Sequence, residues 1–136
     1  MRRFHVDNTL PDPIWVYGSN LAGRHGRGAA RVAASRFGAA RGVGVGRRGS
    51  SYGIPTKNEQ LATLSLDVIK GHVDDFISYA KRHPTLEFFV TGIGCGLAGY
   101  TPAQIAPMFK DAPLTCSFPD TWAPYLTEES QQETEQ

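Results

Sequence analysis

Phe88-Phe89-Val90-Thr91-Gly92-Ile93-Gly94-Cys95-Gly96-Leu97-Ala98-Gly99-Tyr100-Thr101 passes from an apolar run into a glycine-rich segment. Phe, Phe and Val in succession, without polar alternation, are the pattern of a strand covered on both faces of a parallel sheet. Directly after the glycines, Thr101-Pro102-Ala103-Gln104 supplies a Thr cap, a Pro at the first helical position and a Gln three residues beyond the cap, and so predicts a helix. Strand, glycine loop and helix is the order in which α/β sheets place ligands, beyond the carboxyl ends of strands and against helix N-termini whose N–H groups favour anions. Residues 92–100 are therefore expected to bind phosphate.

The chain has 136 residues, 40% of them hydrophobic and 20% charged. That is enough for one domain with an ordinary core, placed at residues 1–126. Glu128, Glu129, Glu133 and Glu135, in a Gln/Ser/Thr-rich setting, make residues 127–136 an acidic tail expected to be disordered. No apolar run approaches the roughly 18 residues of a membrane span, and Met1-Arg2-Arg3-Phe4-His5 lacks the apolar core of a signal peptide. A cytoplasmic protein is expected. Cys95 and Cys116 have no metal-type spacing and are read as two thiols, with no metal and no cofactor called for.

The net charge of +1 hides a segregation. Residues 13–57 contain no acid, yet Arg24, Arg27, Arg31, Arg36, Arg41, Arg47, Arg48 and Lys57 all fall there, among most of the glycines. This combination points to an anionic ligand; arginines spread over solvated faces are the plainer reading.

Outward from the organising stretch, Phe4-His5-Val6 is a short first strand and Ile14-Trp15-Val16-Tyr17 a buried one, separated by the turn residues Asp7, Asn8, Pro11 and Pro13. The second strand opens into Asn20-Leu21-Ala22-Gly23-Arg24-His25-Gly26-Arg27-Gly28, and residues 29–37 suit a helix closed by Gly38. Residues 38–53, dense in glycine and arginine, are assigned to a loop. Tyr52-Gly53-Ile54-Pro55-Thr56-Lys57 is a strand whose Pro55 implies an edge or an end. Leu66, Ile69, Val73, Phe76, Ile77 and Ala80 follow helical spacing behind a Ser65 cap, with His83-Pro84 as the stop. After the organising stretch come a helix burying Ile105, Met108 and Phe109, a last strand in residues 114–118, and a surface-packed end at 119–126. Helices alternating with buried strands indicate an α/β fold, a three-layer α/β/α domain on a mixed, largely parallel sheet.

Two glycine loops thus leave buried strands and lead into helices. Glycine there lets a phosphate approach the backbone amides closely. Neither loop has the Gly-Lys-Ser/Thr of a P-loop, and Gly94-Cys95-Gly96-Leu97-Ala98-Gly99 matches the dinucleotide spacing only formally, late in the chain and without the later acid.

Three segments carry a resemblance. Residues 20–30 resemble the Asn-containing glycine loop of macrodomains, the ADP-ribose-binding modules. Ile93-Gly94-Cys95-Gly96-Leu97-Ala98-Gly99 is similar to the Gly-Cys-Gly-Leu loop of the branch containing terminal ADP-ribose protein glycohydrolase and the DNA ADP-ribosylglycohydrolase antitoxins, and residues 52–57 look like that branch's strand ending in Thr-Lys. The opening Gly-Ser-Asn-Leu-Ala-Gly-Arg-His-Gly also resembles that of phage- and prophage-associated proteins. The resemblance, spanning about residues 4–118, implies a macrodomain-like fold that binds ADP-ribose or a related NAD-derived nucleotide. It implies that Asn20 contacts the distal ribose, that Gly26 and Gly28 hold that ribose and the diphosphate, and that Gly94, Cys95, Gly96 and Leu97 wrap the diphosphate. Asp7 resembles the family's adenine-binding acid. Lys57 matches the catalytic lysine that attacks the anomeric carbon, a role requiring a neutral amine, for which Arg47 and Arg48 are candidate sources of neighbouring charge.

Where the protein-directed glycohydrolase has its catalytic aspartate, this chain has Ala98. Hydrolysis loses its acid, while binding does not. Gly99 and Tyr100, at the loop exit, are further ligand candidates, Tyr100 as a ribose or adenine contact or as core. Cys95 is a thiol lining the loop or a nucleophile, and His25 a phosphate or ribose contact or an exposed side chain. Three functions follow: a nucleotide-binding protein, an ADP-ribosyl glycohydrolase acting on DNA or protein through Lys57, and a nucleic-acid binder using the arginines from Arg24 to Arg48.

Overall fold

Apolar segments without polar alternation become the middle of a six-stranded sheet in the computed structural model, which describes residues 2–6 and 13–126. The strands are β1 (Arg3–His5), β2 (Ile14–Asn20), β3 (Gly46–Arg48), β4 (Ser51–Lys57), β5 (Phe88–Val90) and β6 (Cys116–Pro119), in the order β1-β6-β5-β2-β4-β3. Every neighbouring pair is parallel except β3 with β4. Asp7 and the acidic tail lie outside the described residues.

Helix α1 (Gly28–Arg36) carries the chain from β2 towards β4 on one side, and α2 (Leu66–Arg82) carries it back across β2 to β5 on the other. Right-handed crossovers running in opposite directions place their helices on opposite faces. Alternate residues of β2 record this: Val16 joins the larger core with α2, while Tyr17 packs with Ala30 and Ala33 of α1. On the α1 face, rings of His5, Phe89, Trp15 and Phe37 stack in succession, with centroids 3.6, 5.3 and 5.0 Å apart.

Helix α2 forms where its spacing predicts. Ile69, Val73, Phe76, Ile77 and Ala80 are buried along one stripe, and the Ser65 hydroxyl accepts from the Val68 N–H. Pro55 is tolerated because β3 pairs only with Ser51 to Gly53, leaving the proline beyond the neighbouring strand's end.

Four expectations change. Residues 38–53 are not all loop, since β3 forms an antiparallel edge there. The helix after the second glycine loop is a single turn, α3 (Pro102–Ile105), that tightens into a 3-10 turn at Ala106–Phe109. Pro107 is the reason: it has no N–H for the next i to i−4 bond, and its ring would meet the Ala103 carbonyl. The Gln104 side-chain oxygen still accepts from the Thr101 N–H, as the cap signature implies. The first strand lies one residue earlier than Phe4-His5-Val6, at Arg3–His5. Finally, the end at 119–126 is not surface-packed. A 3-10 turn (Asp120–Trp122) and α4 (Ala123–Leu126) bury Trp122 and Leu126, with Trp122 stacking 5.5 Å from Phe109. We expect Trp122→Ala to lower unfolding free energy by about 3–5 kcal/mol, measured by urea denaturation; a loss under 1 kcal/mol would mean the C-terminal turn is not part of the core.

Candidate functional site

From the neighbouring strands β2 and β5 the chain leaves in opposite directions, towards β4 and towards β6, so their carboxyl ends form a topological switch point where a crevice opens. A cavity of about 570 Å³ lies there, in the range of small-molecule sites. Its walls come from the ends of β2 (Gly18, Ser19, Asn20), of β4 (Thr56, Lys57) and of β5 (Thr91 to Gly94).

The first wall is the loop from Asn20 into α1. Asn20 closes this loop with its side-chain amide: Oδ1 accepts from the Arg24 N–H at 3.0 Å and Nδ2 donates to the Arg24 carbonyl at 3.0 Å. Arg27 stands at the N-cap of α1, makes no side-chain cap bond, and the first turn holds no acid. The N–H groups of Gly28, Ala29 and Ala30 therefore lack the acceptor that a Ser, Thr or Asp cap supplies. All three residues line the cavity, as do Gly26 and Arg27.

Behind this loop runs the glycine-arginine segment, which packs closely against it at Gly42 and Gly44. A Cβ at Gly44 would sit 1.9 Å from the Asn20 carbonyl oxygen, and one at Gly23, which has φ +68°, would sit 2.4 Å from Gly42. The Ser19 hydroxyl donates to the Gly44 carbonyl, and the Gly42 N–H to that of Gly23. His25 belongs to the same brace. Its Nε2 lies 3.0 Å from the Tyr17 hydroxyl, which burial keeps protonated with a pKa raised to about 12. Desolvation lowers the His25 pKa, against an opposing hydrogen bond to the Val43 backbone, so the neutral ring accepts from Tyr17.

The second wall is the glycine loop after β5. Thr91 anchors it, donating through both N–H and hydroxyl to the Val16 carbonyl at 3.0 and 2.8 Å. Within the loop the amides divide into two sets. Those of Cys95, Gly99 and Tyr100 donate to the carbonyls of Gly92, Gly96 and Gly94. Those of Gly92, Gly94, Gly96, Leu97 and Ala98 have no hydrogen-bond partner among the described residues, and all five of these residues line the cavity. Residues with unpaired N–H groups, from two loops, thus line one space.

Electrostatics agree with that geometry. Arg24, Arg27 and Lys57 line the cavity, no Asp or Glu does among the described residues, and none of the three cations is in an ion pair there. Lys57 hydrogen-bonds through its backbone, its carbonyl accepting from Leu21 N–H at 2.9 Å. Arg47 and Arg48 do not approach it. They pair with Tyr52 and Ser51 at the far end of β4, about 16 Å from Lys57 at ~3.3 Å per residue, and Arg47 is held by Tyr79 Oη. The cations that line the cavity with Lys57 are Arg24 and Arg27 of the first loop.

Of the residues singled out in the sequence, the structure gathers Asn20, Gly26, Gly28, Lys57, Gly94, Gly96, Leu97 and Ala98 around the cavity, but not Cys95, Gly99, Tyr100 or His25. The Cys95 thiol donates to the Ile93 carbonyl and has its pKa raised by burial, with Trp122 hydrogen-bonding it from the core side. Tyr100 donates its hydroxyl to the Leu64 carbonyl at 2.6 Å. The sequence reading missed the amides of Ala29 and Ala30, for which Arg27 in the cap position was an available signal, and Leu61, which carries none.

Comparison with protein-family models, with curated proteins and with solved structures gives no match.

Gly44→Ala should cost about 1–3 kcal/mol, because a backbone must move, whereas Gly26→Ala, with open space around its Cβ, should stay within ~0.5 kcal/mol; equal losses in thermal unfolding would contradict the brace. For His25, the folded pKa lies below the ordinary 6.5, so the unfolded chain binds more protons as the pH drops. Its contribution is complete above pH 6.5 and is lost as the pH falls through the folded value. Urea midpoints between neutral pH and about pH 5 should therefore fall more steeply for the wild type than for His25→Gln, and parallel curves would refute it.

Proposed function

We propose that this is a macrodomain-like protein, with the three-layer α/β/α arrangement of that family, whose cavity binds ADP-ribose or a related NAD-derived nucleotide with its diphosphate between the two loops. One observation carries the reading: residues 28–30 and Gly92, Gly94, Gly96, Leu97 and Ala98, whose backbone N–H groups have no hydrogen-bond partner among the described residues, line one cavity together with three cations and, among the described residues, no carboxylate. Such donors favour an extended anion that can accept from both walls, as a diphosphate does and a single carboxylate does not. Asn20, already closing its own loop, retains one N–H and further acceptor capacity for a ribose hydroxyl.

Lys57 in the cavity favours one second reading, an ADP-ribosyl glycohydrolase acting on DNA or protein. Its amine would attack the anomeric carbon, forming the C–N bond as the bond to the macromolecule breaks, and water would later release ADP-ribose. That course wants a proton donor for the departing group and a base for the water. Among the described residues the cavity offers neither as a carboxylate, and the loop position that carries the acid in the protein-directed glycohydrolase this chain resembles is Ala98. Binding without turnover is the better-supported function. A nucleic-acid-binding role for the arginines is supported less, since among the described residues no aromatic ring lines the cavity as a stacking platform.

Titration calorimetry should show one ADP-ribose bound per chain, weakened about tenfold by Lys57→Ala through loss of a charge-assisted contact. ADP-ribosylated DNA and protein should both keep their label. Absence of binding by ADP-ribose and by NAD would overturn the proposal, and Lys57-dependent loss of label would establish the glycohydrolase instead.

A further inference from the structure

The cavity has a second chemistry that the diphosphate does not use. Leu61 and Leu97 both line it, are 39% and 66% exposed, and belong to neither hydrophobic core cluster. Leu61 is also the one non-glycine residue with positive φ, +64°, among the described residues. A leucine held in the left-handed region is uncommon and unfavourable, and glycine would occupy it at no steric cost.

The backbone around Leu61 over-determines this conformation. The Asn58 N–H donates to the Ala62 carbonyl at 2.8 Å and the Leu61 N–H to that of Asn58 at 3.0 Å, while Asn58 Oδ1 accepts from Gln60 and Ala62. Lys57 and Thr63 pair antiparallel at the base, making a small rigid hairpin with Leu61 near its tip. Two hydrogen bonds tie the hairpin to the second glycine loop: the Thr63 hydroxyl donates to the Ala98 carbonyl at 3.2 Å, and the Tyr100 hydroxyl to that of Leu64. The first tie falls two residues from Leu61 and one from Leu97, so both leucines are mounted on one fixed frame. Strain held by a rigid frame, at a cavity wall, around a side chain that contributes nothing to the core is the signature of a ligand contact.

We propose that Leu61 and Leu97 form an apolar jaw that takes a planar heterocyclic base of the nucleotide, the diphosphate resting on the loop amides. The inference rests on the nucleotide reading of the cavity. It adds that the ligand is selected for its base as well as its phosphates: donors and cations meet the phosphates, and the two exposed leucine side chains offer an apolar surface to the base. Tyr100, a sequence candidate for this contact, serves instead to fix the frame.

Three proteins and two probes separate the outcomes. Wild type, Leu61→Gly and Leu97→Ser are titrated with ADP-ribose and with inorganic pyrophosphate, and their thermal unfolding is recorded. Each substitution should weaken ADP-ribose by about tenfold, the loss of roughly half a buried leucine contact, and Leu61→Gly should leave pyrophosphate affinity unchanged. Leu61→Gly should unfold at a temperature no lower than wild type, because relief of the left-handed leucine offsets the added chain freedom, an outcome a structural leucine would not give. Unchanged ADP-ribose affinity in both variants would overturn the jaw while leaving the phosphate cradle standing, as would a parallel loss of pyrophosphate by Leu61→Gly. A wild type that binds neither probe would refute the cradle itself, and the jaw with it.

Discussion

Backbone N–H groups without acceptors, at the carboxyl ends of β2 and β5, are the constraint on which the site depends. Each amide left unpaired away from water costs on the order of 1–3 kcal/mol, and folded chains pair nearly all of them. Here a group of them is gathered on one cavity by the start of α1 and by the loop after β5. Their demand is met by water or by an anion, and the anion is favoured because Arg24, Arg27 and Lys57 share the space with no carboxylate among the described residues.

Holding such a cradle open requires stiffness behind it. The first loop is stiffened by contacts that only glycine permits, with Gly44 against the Asn20 carbonyl and Gly23 against Gly42, and by the Tyr17–His25 pair beneath. On the second loop, Thr91 is pinned to β2, and the amides of Cys95, Gly99 and Tyr100 close the turns that leave their neighbours' N–H groups pointing out. The division of labour within one glycine loop, some amides folding it and others left unpaired on residues that line the cavity, makes a short segment both rigid and receptive.

Much of this was legible in the sequence, and the exceptions have physical causes. The strands at 14–17, 52–57 and 88–90 and helix α2 follow from apolar runs and 3.6-residue spacing, which burial enforces directly. Asn20, Lys57 and the glycines came together because strand–loop–helix order puts them at one end of a parallel sheet. Residues 38–53 read as a loop because composition does not reveal the backbone approach of Gly42 and Gly44 to a segment about 20 residues away. Pro107, which shortens α3, was visible but outweighed by the strong cap at Thr101. Leu61 carried no signal at all, since a left-handed leucine is imposed by the hydrogen bonds of its hairpin and not by its identity.

The most direct measurement is the amide spectrum of the 15N-labelled protein titrated with ADP-ribose. The cradle predicts the largest shifts at Gly28, Ala29, Ala30, Gly92, Gly94, Gly96, Leu97 and Ala98, with smaller ones at Cys95, Gly99 and Tyr100, whose amides are already bonded. Saturating ligand that leaves the first set unmoved, or moves amides at the opposite end of the sheet instead, would contradict it.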